Sequence, residues 1–241
     1  MFTVGAYPFW GIFVTEEHFH FRPFSTDERG GGEGEYFRPV RGLGIAATIL
    51  LPLVCVAELF VNRQEWQTAG LIADVRNGAV SSSMALGVSA LSLRSSSGLS
   101  LLALVAAGIV FLLWLWRARL NAELTAGPES QRRGRGWTIG GWICPVVNLW
   151  FPYQIVRDVY AASARRPVRA PLVGVWWAVL VANVVIANVV VRFITSTDPV
   201  QEAHTLATLG TVSLILEAVA AALIVVIIQQ VTNGQERTPG V

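Results

Sequence analysis

Four stretches of this chain, 42–61, 99–116, 172–191 and 210–228, are apolar and nearly free of charge. A helix needs about 20 such residues to cross the hydrocarbon of a bilayer. Inside lipid, an open chain must satisfy its backbone within each segment, which a helix does. Four runs of this kind in 241 residues therefore predict an all-α membrane protein with four transmembrane helices. The charge content agrees: 14% of residues are Asp, Glu, Lys or Arg, where a soluble domain carries about 25%. All 18 basic residues are arginine. Read as the codon bias of a GC-rich genome, that usage points to a bacterial plasma membrane.

A fifth stretch, 137–156, is as long as the others but differently built. Gly140, Gly141, Pro145 and Pro152 lie inside it, and each proline removes a backbone donor and crowds the preceding turn. Trp137, Trp142, Trp150 and Tyr153 are of the kind that settles at the level of the headgroups. The arginines decide whether it crosses. Positive residues stay on the cytoplasmic side. If 137–156 does not cross, fourteen of the 18 arginines fall on one side; the exceptions are Arg63, Arg76, Arg94 and Arg192. If it crosses, the two arginine-richest connections are split between opposite sides. The expected fold is thus four spans plus one broken re-entrant or interfacial segment, with both termini cytoplasmic. Residues 1–37 form a flexible cytoplasmic tail, 38–230 the membrane domain and 231–241 a cytoplasmic tail. Irregular backbone at membrane depth has to be covered by protein, so 137–156 is expected to pack on the spans. Between the first two spans, 62–98 reads as the longest loop, with a short apolar run at 84–93.

Residues 1–14 are apolar but lack the positive start and cleavage site of a signal peptide. The polar, glycine-rich "STDERGGGEGEY" that follows reads as linker. His18 and His20 lie in that tail, far from Cys55 and Cys144, which sit in apolar runs as packing residues. No metal or cofactor is expected.

The candidate residues fall in two groups. Glu217 lies near the middle of the last span, where a charge costs several kcal/mol or is neutralised. Gly210, Ser213, Glu217 and the alanines 220 and 221 share a helix face, a small, polar stripe suited to helix contacts in lipid. Glu217 is expected to face the bundle interior near Asn183, as a proton or cation relay or as a protonated acid pinning two helices together. Glu58, near the outer end of the first span, reads as an interfacial carboxylate paired with Arg63. The second group is cytoplasmic: Arg117, Arg119, Asn121 and Glu123 on the second span, with Asn148, Gln154, Arg157 and Asp158 on the broken segment. It is expected either to lock that segment to the second span or to form a polar pocket for an anionic headgroup or solute.

Two runs carry a family resemblance. "FLLWLWRARLNAE" (111–123) contains W-x-x-R-x-R-x-N-A-E. "RGRGWTIGGWICPVVNLWFPYQIVRDVY" (133–160) contains G-W-x-x-G-G-W and P-V-x-N-L-W-x-P. In this order they closely resemble the actinobacterial membrane family termed domain of unknown function 4328, over about 37–230. The resemblance implies four spans and a low-complexity cytoplasmic N-terminus, and supplies no activity. The serine-rich 62–98 connection stands where that family has an acidic-rich loop.

No phosphate-binding loop, nucleophile with its base or paired-carboxylate site is visible, and a nucleic-acid partner is not expected. The expected partners are the bilayer, anionic headgroups near the cytoplasmic arginines, and a protein partner or a second copy of the chain. A non-enzymatic membrane scaffold or envelope-associated interaction protein is the leading expectation. A small solute or ion transporter or channel using Glu217 is the alternative, and an enzyme acting on lipid-linked substrates comes third.

Overall fold

A computed structural model describes residues 36–79, 82–163, 171–188 and 198–237, with the side chains of 82–86, 88–90, 92–95 and 187–188 left aside. The expected N-terminal tail with His18 and His20, and the arginines at 165, 166 and 169, lie outside the described residues. The described chain is helical: α1 (Arg41–Arg76), α2 (Ser82–Ala126), α3 (Trp137–Ile143), α4 (Phe151–Ser163), α5 (Pro171–Asn188) and α6 (Pro199–Glu236), with 3-10 turns at Pro128–Ser130 and Val147–Leu149.

Three of these helices, not the expected four, are long and apolar enough to cross a membrane: α1, the Ser96–Ala126 part of α2, and α6. The stretch 172–191 corresponds to α5, whose described length is 18 residues. At 1.5 Å per residue that is about 27 Å, short of the roughly 30 Å hydrocarbon. Residues 189–191 lie outside the described residues. The three long helices point to a multi-pass membrane protein. Their outer faces agree, since Ile45, Ile49, Leu53, Leu102, Ile109 and Ile215 are each half-exposed or more, an arrangement that water penalises and lipid does not.

The helices outrun the apolar stretches that reveal them. α1 has 36 residues, or about 54 Å, because backbone bonding continues where apolarity stops. The expected 62–98 loop is largely helix, shared between the end of α1 and the start of α2. Gly78, at φ 75°, ends α1 in a Schellman motif: its N–H bonds the Val75 carbonyl (3.1 Å) and the Ala79 N–H bonds that of Asp74 (3.0 Å). Pro199 opens α6 directly after the cap Asp198, whose carboxylate accepts from the Val200 N–H at 2.9 Å. That backbone bond, with the Arg76 guanidinium at 2.9 Å beside it, holds the Asp198 carboxyl below the usual carboxylate range.

α1 packs along both α2 and α6, and α5 along α6. Small residues permit the approach: a Cβ on Gly44 would come within 2.8 Å of Thr232 Oγ1, and Trp114 donates its indole N–H to the same hydroxyl (3.1 Å). α4 closes one end of the bundle, burying Ile155, Val156, Val159 and Tyr160 against α2 and α6. Among the described residues, α2 and α5 do not pack along one another.

Candidate functional site

The broken segment is a helical hairpin. α3 runs one way from Trp137, the chain reverses through Cys144, Pro145 and the 3-10 turn, and α4 returns. Pro152 does not break α4. It is the second residue of that helix, where an N–H has no intrahelical acceptor to lose. Gly141 lets the two arms touch, since a Cβ there would lie 3.1 Å from the Phe151 Cβ.

The two ends of the hairpin lie side by side. The Arg132 backbone N–H donates to Asp158 Oδ2 (3.1 Å), and Arg133 Nε donates to Gln154 Oε1 (2.8 Å) while its guanidinium covers the Phe151 ring at 4.0 Å. The chain therefore leaves and rejoins the bundle at one end. The tip reaches inward to Trp142, which meets Phe111 of α2 and Trp177 of α5 edge-on at 5.5 and 6.1 Å. Trp177 also donates to the Leu149 carbonyl (2.8 Å). Phe111 stands two turns before Arg119, so the tip lies about 12 Å deeper than the arginines.

Arg119 is the centre of the lock. It is 2% exposed and gives Nε to Glu123 (3.0 Å), Nη1 to Thr138 (3.1 Å) and Nη2 to the Arg133 carbonyl. The other Glu123 oxygen accepts from Arg135 Nε (2.6 Å). One buried guanidinium thus ties α2 to the start of the hairpin through its fixed fork of donors.

A second polar network gathers the chain ends. The fully buried Asn121 accepts from the Arg38 N–H (2.8 Å) and donates to the Arg38 carbonyl (2.8 Å) and Gln235 Oε1 (3.1 Å). Gln235 in turn donates to the Ala118 carbonyl (2.8 Å) and Ser163 Oγ (2.9 Å). Residue 38, the ends of α2, α4 and α6, and the hairpin locks thus share one end of the bundle.

The second group named from the sequence divides accordingly. Arg119, Glu123, Asp158 and Gln154 belong to the lock, and Asn121 to the second network. Arg117 is exposed and bonds the Pro39 carbonyl (3.2 Å). Arg157 lies over its own helix's Tyr153 ring at 6.0 Å. Asn148 sits in the turn at the tip, where its backbone N–H bonds the Cys144 carbonyl (2.9 Å). Thr138, Arg38 and Gln235 were not foreseen. Gln235 had a signal, because it continues the buried row Ile224, Ile227, Ile228 and Val231 at helical spacing.

Glu217 lines an otherwise apolar cavity of about 320 Å³, with Cys55 of α1, Phe111 of α2, Trp142 of the hairpin tip, and Trp176 and Leu180 of α5. Ser213 and Asn183 are not among its walls. Asn183 Oδ1 is instead buried without a hydrogen-bond partner. Glu58 accepts from the Ser100 hydroxyl, while Arg63 is exposed. Among the described residues no cluster of His, Cys, Asp and Glu has the geometry of a metal site.

No curated protein and no solved structure matches the chain. A family model described as a domain of unknown function (DUF4328) matches residues 76–233. The matched region begins at the end of α1 and contains the hairpin, Arg119, Asn121 and Glu217. The chain belongs to the DUF4328 family.

Proposed function

We propose that this is a multi-pass protein of the bacterial plasma membrane, serving as a non-enzymatic scaffold or envelope-associated interaction partner. In this reading α5 is the fourth crossing. The α3–α4 hairpin is re-entrant and dips in from the cytoplasmic side, where both termini lie. The observation that carries it is the hairpin lock. The buried Arg119, with Glu123, Thr138 and the Arg133 carbonyl, is engaged by the protein itself. A group so engaged rigidifies a frame and is poorly placed to turn over a substrate.

A second reading, a small solute or cation transporter, is favoured by one observation, the Glu217 carboxyl in the wall of an apolar cavity. Proton and cation flux in liposomes separates the two. The scaffold reading predicts flux equal to that of protein-free liposomes, for the wild type and for Glu217→Gln alike. Flux above that level which Glu217→Gln abolishes would establish transport instead.

A further inference from the structure

We infer that the cavity beside Glu217 is a binding site for a lipophilic cation, such as an amine or quaternary ammonium compound with a bulky apolar body. This site is independent of whether the protein transports anything.

Charge comes first. Among the described residues, Glu217 is the one acidic side chain in the cavity wall, and the second acidic side chain of the apolar region, Glu58, lies within its Coulombic range. No arginine falls within 42–61, 99–116, 172–191 or 210–228. An ionised Glu217 therefore has no arginine within these stretches to balance it, and a positive guest offsets the cost of its charge. In a low-dielectric surrounding such an imbalance favours a positive guest strongly.

The walls choose the kind of cation. Phe111, Trp142 and Trp176 are among the lining residues, and aromatic faces attract ammonium groups within about 6 Å of the ring centre. The remaining walls, including Leu51, Leu104 and Leu180, are aliphatic, which disfavours a small hydrated ion. A volume of about 320 Å³ is at the lower end of small-molecule sites, which run from about 300 to 1,000 Å³. The indole N–H of Trp142 is buried without an acceptor, so a natural ligand carrying an oxygen acceptor beside its cation would meet a donor left over by the protein.

The way in also suits a guest dissolved in lipid. Among the described residues, α2 and α5 each pack mainly on other helices rather than along one another. The hairpin tip closes the gap between them on the arginine side, through Trp142 and Trp177. Leu104, which lines the cavity, is half-exposed. A lipophilic cation can enter sideways from the bilayer without passing the polar end.

The test uses two probes of one shape and opposite charge, tetraphenylphosphonium and tetraphenylborate. The full-length protein in nanodiscs is titrated with each, following tryptophan fluorescence, with empty nanodiscs as blank. The cation is expected to bind saturably and the anion not to. Glu217→Gln should weaken cation binding by about tenfold or more, as removal of a buried charge partner does. Gly108→Leu is the second variant, since Gly108 lines the cavity and a Cβ there meets nothing within 4 Å. It keeps the carboxylate, fills the space, and should abolish binding while circular dichroism and elution volume stay as in the wild type. Equal affinity for both probes, or wild-type affinity in both variants, would overturn the proposal.

Discussion

Arg119→Ala is expected to lower the unfolding free energy by about 3–5 kcal/mol, the range for removing one partner of a buried ion pair. The loss has a specific structural source. Without the guanidinium, the Glu123 Oε1 atom, the Thr138 hydroxyl and the Arg133 carbonyl lose a donor together, and Glu123, only 7% exposed, is left with Arg135 alone. Arg119→Lys keeps the charge but not the planar fork, so it should recover only part of the loss. Arg119→Met combined with Glu123→Leu should be more stable than Arg119→Ala, because two apolar groups leave no buried charge behind. Denaturant unfolding in detergent, followed by tryptophan fluorescence, reads all three. A loss below about 1 kcal/mol in Arg119→Ala, the range of an exposed ion pair, would mean that Arg119 does not hold the hairpin.

Asn121→Leu is expected to cost about 1–3 kcal/mol, the range for one buried polar group left unpaired, because Gln235 is buried while Arg38 is exposed and its backbone groups can turn to water. Three groups lose this partner, the Arg38 N–H, the Arg38 carbonyl and Gln235 Oε1, and of these Gln235 Oε1 belongs to a buried side chain. Leucine keeps the branching of asparagine and leaves no cavity, but it is bulkier, so at this fully buried position some of the loss comes from overpacking. Gln235→Leu removes the facing amide, and the pair should couple by about 0.5–3 kcal/mol in a double-mutant cycle. Strict additivity would show that the two residues do not act as one unit. Because this network ties residue 38 to the ends of α2, α4 and α6, the mutant should also expose its N-terminal segment to protease sooner than the wild type.

What the sequence made legible follows from which physical signal each feature leaves. Apolar runs as long as a bilayer reveal helices in lipid, and α1, α2 and α6 were visible for that reason. Their true ends were not, because α1 beyond residue 61 and α2 before residue 99 continue with residues that suit water or lipid edge alike. The reversal at 144–149 was legible from Gly140, Gly141 and Pro145. Pro152 pointed to a break only because a proline's effect depends on its place in a helix, which composition does not state. Arg119, Glu123 and Asp158 stood out as charges near an apolar run. Gln235 did not, since a glutamine in "VTNGQE" looks like tail until its helical phase is traced back to Ile224. The neighbours of Glu217 were not legible, for a different reason. Helical phase placed Glu217 on an inner face, but whether it meets Asn183 or Cys55 depends on the rotation of α5 about its axis, which packing sets.

The most direct measurement concerns the hairpin itself. In a Cys55→Ala, Cys144→Ala background, single cysteines are placed at Gly134 and Ala161, both exposed and standing at its two ends. Intact cells and inside-out vesicles are then labelled with a membrane-impermeant thiol reagent. A hairpin that returns to the side it left predicts that both positions label in inside-out vesicles and neither in intact cells. Labelling of the two positions from opposite sides would mean that 137–156 crosses the membrane, and would contradict the topology proposed here.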